Sequence, residues 1–183
     1  EWIEKIKAKQ PEFRDEKLER YKKEFDIPQY DAEILTESKH MADIFEETTA
    51  ICGKPKKVSN WLMVETMRLL KEHGMEPEDI SFSPANLAKL IGLTEAGTIN
   101  SSVAKEVFEQ VFEKDVDPES YVEEHGLKTV NDEGALEEVL KEVIAKNPKA
   151  IADYKGGKEK ALGALVGQTM KAMKGKANPG MVN

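Results

Sequence analysis

Apolar positions along this chain recur every three or four residues, and they almost never alternate with polar ones. That spacing is the mark of helices that each bury one stripe, and it predicts an all-α fold. A charged stretch opened by Pro11 runs to about Asp26, ahead of Ile27-Pro28. A second helix is predicted from Glu37 to Cys52, with Gly53 as its stop. A third comes after Pro55 and runs to His73, where Gly74 ends it. It carries Val58, Trp61, Leu62, Val64, Met67, Leu69 and Leu70, a wide apolar face that suits a central core helix. Ser83-Pro84, Asp117-Pro118 and Asn147-Pro148 each place a capping residue before a proline at the first helical position. Asn100 is a cap for a helix with Val103, Val107, Phe108, Val111 and Phe112 on one side. Leu136, Val139, Leu140, Val143 and Ile144 form the cleanest stripe of all. Leu127–Val130 is too short to count as a strand, and no fixed-period repeat is visible.

The segment from His125-Gly126 to Asn131 separates two helical regions, with Asn131 or Asp132 capping the next helix. The predicted organisation is a helical bundle domain over residues 1–127 and a small helical tail domain over 128–183, near the lower size limit for independent folding. Charged residues make up 34% of the chain and aromatic ones only 7%, which favours a thin helical bundle over a β-sandwich or barrel. The single cysteine, Cys52, implies no disulfide framework and no oxidising compartment. No apolar run approaches the roughly 20 residues of a membrane helix, and no secretory signal is visible, so a soluble, cytoplasmic protein is expected. The chain opens at Glu1-Trp2-Ile3 without a methionine, and it stops at Asn178-Pro179-Gly180-Met181-Val182-Asn183, which reads like the start of another helix. It is therefore expected to be a piece of a longer protein.

The net charge of −8 is unevenly distributed. Residues 146–183 hold eight lysines against two acids, Asp153 and Glu159, a surplus of six positive charges. The 145 residues before them hold 19 basic and 33 acidic side chains. An acidic body thus carries a basic tail, either as a solvated end or as the footprint of a polyanion.

No catalytic constellation emerges. His40, His73 and His125 have no cysteine or second histidine at metal-ligand spacing. His73 and His125 each precede a glycine at a helix end, where an imidazole complements the helix dipole. Cys52 sits with Phe45, Thr48 and Ile51 and reads as a buried structural thiol. Glu46-Glu47 and Glu123-Glu124 are adjacent pairs that read as solvated surface. Gly156-Gly157-Lys158 lacks the strand and spacing of a nucleotide loop. The catalytic, metal and cofactor sets of this chain are therefore expected to be empty.

The last long helix carries more information. With Leu162 at the origin and about 100° per residue, Leu165, Val166, Thr169 and Met173 fall within about 60° of it and form the expected core stripe. Gly163 and Gly167 fall near 100° and 140°, framed by Lys160, Lys171 and Lys174 between about 120° and 180°. Each interior glycine weakens the helix by roughly 1 kcal/mol relative to alanine, so something is expected to approach its backbone closely. That something is either a phosphate–sugar chain gripped by lysines or another helix. Lys155-Gly156-Gly157-Lys158, just ahead, offers backbone N–H groups as an anion site.

The residues of this region carry a family resemblance. Tyr154-Lys155, Gly157-Lys158-Glu159-Lys160-Ala161-Leu162-Gly163, Leu165-Val166-Gly167-Gln168, Met170-Lys171 and Gly175-Lys176-Ala177-Asn178-Pro179 resemble the C-terminal tail of the tRNA-dependent amidotransferase B subunit, which is similar to the free-standing YqeY module. Asn60-Trp61, Gly97-Thr98-Ile99, Ala104-Lys105-Glu106-Val107-Phe108 and Asn147-Pro148-Lys149-Ala150 extend the likeness over nearly the whole chain. Ala164 departs from the family pattern, where a bulkier apolar residue is usual, and Met173 departs where a small hydroxyl residue is common. The resemblance implies a subunit that works with an amidase A subunit and a small C subunit. With ATP and Mg, such a complex activates Glu or Asp misacylated onto tRNA(Gln) or tRNA(Asn), and glutamine-derived ammonia then makes the amide. The phosphorylating cradle domain of that family has no counterpart in these residues. The helical domain and tail that remain are implied to bind tRNA, with Lys155, Lys158, Lys160, Gly163, Gly167, Lys171, Lys174 and Lys176 as the contact set. The competing reading is a non-catalytic scaffold whose acidic body docks another subunit.

The purified chain is expected to turn over neither ATP nor glutamine. Phosphate and ammonia release, assayed after repeated purification, check this; stoichiometric turnover that survives purification contradicts it.

Overall fold

The structure is a computed structural model that describes residues 12–131 and 133–182. Pro11 and Asp132, expected as a helix start and a cap, lie outside the described residues. Among those described the fold is all-α. The helices are α1 (Arg14–Glu24), α2 (Gln29–Leu35), α3 (Lys39–Cys52), α4 (Pro55–Asn60), α5 (Met67–His73), α6 (Pro84–Glu95), α7 (Ser101–Lys114), α8 (Pro118–Glu124), α9 (Glu133–Lys146), α10 (Pro148–Lys155), α11 (Lys160–Ala172) and α12 (Pro179–Val182). They gather into two compact units. One runs to Ile91 and includes Glu109–Asp115; the other comprises Gly92–Phe108 and the chain from Val116 onward.

Local capping chemistry sets most of the boundaries. Ser38 accepts from the Met41 amide at 3.2 Å, Asn100 from Val103 at 3.0 Å, and Asp117 from Ser120 at 3.0 Å, each satisfying an orphan donor of a first helical turn. Gly53 and Gly74 stop their helices at φ of 65° and 62°, the left-handed region that a side chain disfavours. Asn147 does not cap as expected. Its side-chain amide donates back to the Val143 carbonyl at 2.8 Å, and Pro148 alone marks the start of α10.

In the first unit, α4 and α5 are joined by a π-helical stretch, Trp61–Thr66, that the sequence pattern did not predict. The Met67 amide reaches back five residues to the Leu62 carbonyl, and the Thr66 hydroxyl donates to the Trp61 carbonyl at 3.1 Å. The wider turn shifts the apolar register. Val58, Leu62, Leu69 and Leu70 are buried as predicted, but Val64 is turned out to 50% exposure, while Glu65 and Thr66 are buried instead. The core continues through Phe45, Leu87, Leu90 and Ile91. Cys52, the last residue of α3, is half-buried rather than buried. The His40 ring donates to the Ile80 carbonyl at 2.8 Å, and His73 lies 3.9 Å from Glu113.

Glu46 corrects another expectation. Rather than lying in a solvated pair, it anchors a half-buried cluster. Its Oε1 accepts from the Tyr21 hydroxyl at 2.7 Å, from Lys17 at 2.6 Å and from Arg20 at 3.0 Å. Arg20 also forks onto Glu12 at 2.8 and 2.7 Å. Partial burial pushes the Glu46 carboxyl up. The hydrogen bonds from Lys17 and Tyr21, with the positive fields of Lys17 and Arg20, outweigh that and hold it below the ordinary carboxylate range. Burial, followed by the bond to Glu46, pushes the Tyr21 hydroxyl far up, so it stays a donor.

The second unit holds the tail helices. Leu136, Ala177 and Val182 are buried together, with Leu140, Val166, Met170, Met173 and Met181 packed around them. Of the α7 stripe, Val103, Val107 and Phe108 are buried in this unit. Asn100 serves this unit twice: its Oδ1 caps α7, and its Nδ2 donates to the Gly175 carbonyl. A lone parallel bridge joins Val130 to Ala177, and the Thr129 amide donates to the Thr98 carbonyl at 2.8 Å.

The Glu46 cluster makes a pH prediction. A carboxyl whose folded pKa lies below its ordinary 4.5 contributes stability that is complete above that value and is lost as the pH falls through the folded pKa. Thermal unfolding midpoints are therefore expected to fall below that pH. Glu46→Gln is expected to lose about 1–2 kcal/mol at neutral pH, since it forfeits the charge in three hydrogen bonds, and to flatten part of the acid limb. An unchanged acid limb in the variant contradicts the assignment.

Candidate nucleic-acid interface

The candidate residues lie on α10, on α11 and on the turns that come after each helix. Pro148 starts α10, which closes at Lys155 in a glycine turn with Gly157 at φ 89°. That closure uses the amides expected to be available for an anion. Gly156 donates to the Ala152 carbonyl at 2.9 Å, Gly157 to Tyr154 at 2.9 Å and Lys158 to Asp153 at 3.0 Å. The Lys158 ammonium is also engaged, 2.9 Å from the Asp153 carboxylate. The Lys155–Lys158 loop therefore contributes side-chain charge, not a nest of open N–H groups.

Helix α11 is oriented by its apolar side. Thr169 is fully buried, and its hydroxyl donates to the Leu165 carbonyl at 2.9 Å, so no polar atom is left unsatisfied there. Leu165, Val166, Met170 and Met173 are half-buried around it. Leu162, expected at the centre of the stripe, is 38% exposed; it sits in the first turn, beyond the reach of the cluster around Ala177. The opposite side carries Lys160, Gly163, Gly167 and Lys171, all exposed and within about 80° of arc at 100° per residue.

A Cβ added at Gly163 or Gly167 would meet no atom within 4 Å. Both glycines have ordinary helical backbone, as neither appears among the positive-φ glycines. Within the described chain, then, no helix packs on them and no turn requires them.

Lys174 departs from the expected wheel. The helix ends at Ala172, and Lys174 takes φ 52° in the closing turn, so its direction is set by the turn and not by the 100° step. Lys176 is half-buried, and its carbonyl accepts from the Val130 amide at 2.8 Å. Among the described residues Lys155, Lys160, Lys171, Lys174 and Lys176 form no ion pair, and residues 160–183 contain no Asp or Glu. By contrast, Lys146 pairs with Glu142 and Lys141 with Glu137 on α9.

One feature of this region escaped the sequence reading. A cleft of about 630 Å³ opens beside the C-terminal half of α11, lined by Lys146, Asn147, Gln168 and Lys171 with Glu142 and Val143. Asn147 Nδ2 donates to Gln168 Oε1 across it. The pairing spans 21 residues, and the Asn-Pro dipeptide reads locally as a cap, so nothing in the sequence marked it.

Among the described residues no group of three or more His, Cys, Asp or Glu side chains could hold a metal ion, and no helix is long and apolar enough to cross a membrane.

Comparison with known proteins agrees with the tail motif. The chain is 70% identical to the B subunit of the aspartyl/glutamyl-tRNA(Asn/Gln) amidotransferase of Agathobacter rectalis, 57% identical to the protein of that name from Lachnoclostridium phytofermentans, and 49% identical to that from Geobacillus thermodenitrificans. In each case the similarity spans all of this chain but only 38% of the relative. The family profile described as the GatB domain matches residues 43–183. The chain belongs to the GatB domain family.

Proposed function

We propose that this chain is the tRNA-positioning C-terminal part of the B subunit of an ATP- and glutamine-dependent amidotransferase that converts Glu-tRNA(Gln), Asp-tRNA(Asn) or both to their amides. The family membership and the relatives' names support the parent activity. In this reading the amidase A subunit and the small C subunit are the protein partners. On the same reading, ATP and Mg are bound by a cradle domain elsewhere in the parent subunit. The tail, residues 128–183, grips the RNA.

One observation carries the RNA assignment: among the described residues nothing lies against Gly163 and Gly167, which are exposed on α11 between lysines that pair with no carboxylate there. A ribose–phosphate chain can approach such a backbone closely and place phosphates within reach of Lys160 and Lys171. Lys155, Lys158, Lys174 and Lys176 widen the positive field; Lys158 does so at the expense of its pair with Asp153. Such contacts fix the RNA without reading its bases.

This face generates two predictions. In titrations of tRNA across a salt series, Lys160→Ala and Lys171→Ala are each expected to lower the log–log salt slope by about 0.7–0.9 and to weaken different tRNAs alike. A double variant with wild-type affinity and slope would favour the scaffold reading. Gly163→Ala and Gly167→Ala are each expected to raise helix stability by roughly 0.5–1 kcal/mol, since the added methyl meets open space. Gly163→Leu and Gly167→Leu are expected to keep the far-ultraviolet circular dichroism yet lose tRNA affinity. Thermal melts and gel shifts on the same preparations separate the two effects, and destabilisation by alanine contradicts the open-face geometry.

A further inference from the structure

We propose that the cleft beside α11 reads an unpaired base that carries an amino group next to a ring nitrogen, the edge that adenine and cytosine share, with Asn147 and Gln168 as the specificity-determining pair; the proposal rests on the tRNA-binding reading above and adds base recognition to it. The two amides are held in one orientation. Asn147 donates through Nδ2 to the Val143 carbonyl at 2.8 Å. A carbonyl only accepts, so the atom facing it is the nitrogen and the amide cannot be flipped. The second hydrogen of Nδ2 goes to Gln168, which must then present Oε1. Both hydrogens of Asn147 and one acceptor of Gln168 are thereby spent inside the protein.

What remains is one acceptor, Asn147 Oδ1, and one donor group, Gln168 Nε2, neither with a partner among the described residues. Both residues line the cleft, and Lys146 and Lys171 line it with them. An acceptor and a donor on two neighbouring side chains complement a base that offers an amino group next to a ring nitrogen, as unpaired adenine and cytosine both do. Unpaired RNA bases expose such edges, whereas the deep major groove of an RNA helix does not. The volume of about 630 Å³ accommodates a nucleoside; Lys171, which forms no ion pair among the described residues, is available to a flanking phosphate, whereas Lys146 is paired with Glu142, which also lines the cleft. Gln168 and Lys171 are three residues apart on α11, so base reading and phosphate binding sit on one rigid element.

The test uses the full 183-residue chain bound to labelled tRNA, with two competitors of equal length: oligoadenylate, and the same oligomer built from purine riboside, which lacks only the amino group. Oligoadenylate is expected to compete about tenfold better. Gln168→Met removes the donor and releases the Asn147 amide, and is expected to bring the ratio to about one. Lys171→Ala is expected to weaken both oligomers equally and to lower the salt slope. Should Gln168→Met melt early, Gln168→Glu keeps the acceptor that holds Asn147 while removing the donor, and the ratio is expected to fall there as well. A ratio near one in the unmodified chain, competition by neither oligomer, or an undiminished ratio in a folded Gln168 variant each overturns the proposal. Polyglutamate competing as well as oligoadenylate overturns it in favour of an acidic protein partner. Failure of the unmodified chain to bind tRNA at all is a different result, because it removes the tRNA-binding reading itself.

Discussion

The burial of Thr169 and its neighbours fixes the rotation of α11, and everything on the outer side of that helix depends on this rotation. A 13-residue helix is marginal on its own, and two glycines make it weaker. It holds because Val166, Met170 and Met173 pack against the cluster of Leu136, Ala177 and Val182. Asn100 secures the turn after α11, since its amide donates to the Gly175 carbonyl while its oxygen caps α7. Once the apolar side is pinned, the 100° step leaves no choice for the rest: Lys160, Gly163, Gly167 and Lys171 face outward together. A polar hydroxyl can sit at the centre of that buried side because Thr169 satisfies it within the helix.

Charge is managed differently in the two halves of the sequence. In the acidic body, positive side chains are consumed by carboxylates. Arg68 alone pairs with Glu65, Glu72 and Glu109, and Arg20 pairs with Glu12 and Glu46. Exposed pairs of this kind contribute little stability each, but they neutralise the local field. Among the described residues the lysines of α11 and the turn after it have no such counterparts, and no acid occurs from residue 160 onward. A field of one sign therefore survives on that surface even though the chain as a whole is negative.

How much of this was legible in the sequence depended on the range of the interaction concerned. The cap at Ser38 was missed and its helix was placed from Glu37, but Asn100 and Asp117 were readable as caps because a cap bonds to an amide only three residues on. The glycine stops at 53 and 74 were readable for the same reason. The π turn at Trp61–Thr66 was not, because one wider turn leaves the composition unchanged and is selected by packing from outside the helix; it turned Val64 out and Glu65 in. Glu46 looked solvated because Lys17, Arg20 and Tyr21, its partners, lie at least 25 residues earlier. The amides of Gly156, Gly157 and Lys158 were misread in direction: they close the helix behind them and do not open towards the one ahead. The Asn147–Gln168 contact fails the same locality test and was invisible for that reason.

The two glycines of α11 bring these points to one question. Glycine inside a helix is ordinarily explained by a turn, a positive φ or a close neighbour, and Gly163 and Gly167 have none of the three. The helix forgoes roughly 1 kcal/mol at each without return from the described fold. Alanine would fit both places, so the absence of a side chain is meaningful only for a body approaching from outside. That body has to tolerate a surface of lysines with no acid among them, which disfavours a basic or apolar helix and favours a polyanion with a narrow backbone. The apolar side of α11 therefore carries the whole burden of holding it in place: the outer side, at Gly163 and Gly167, has no contact among the described residues and adds nothing to the fold.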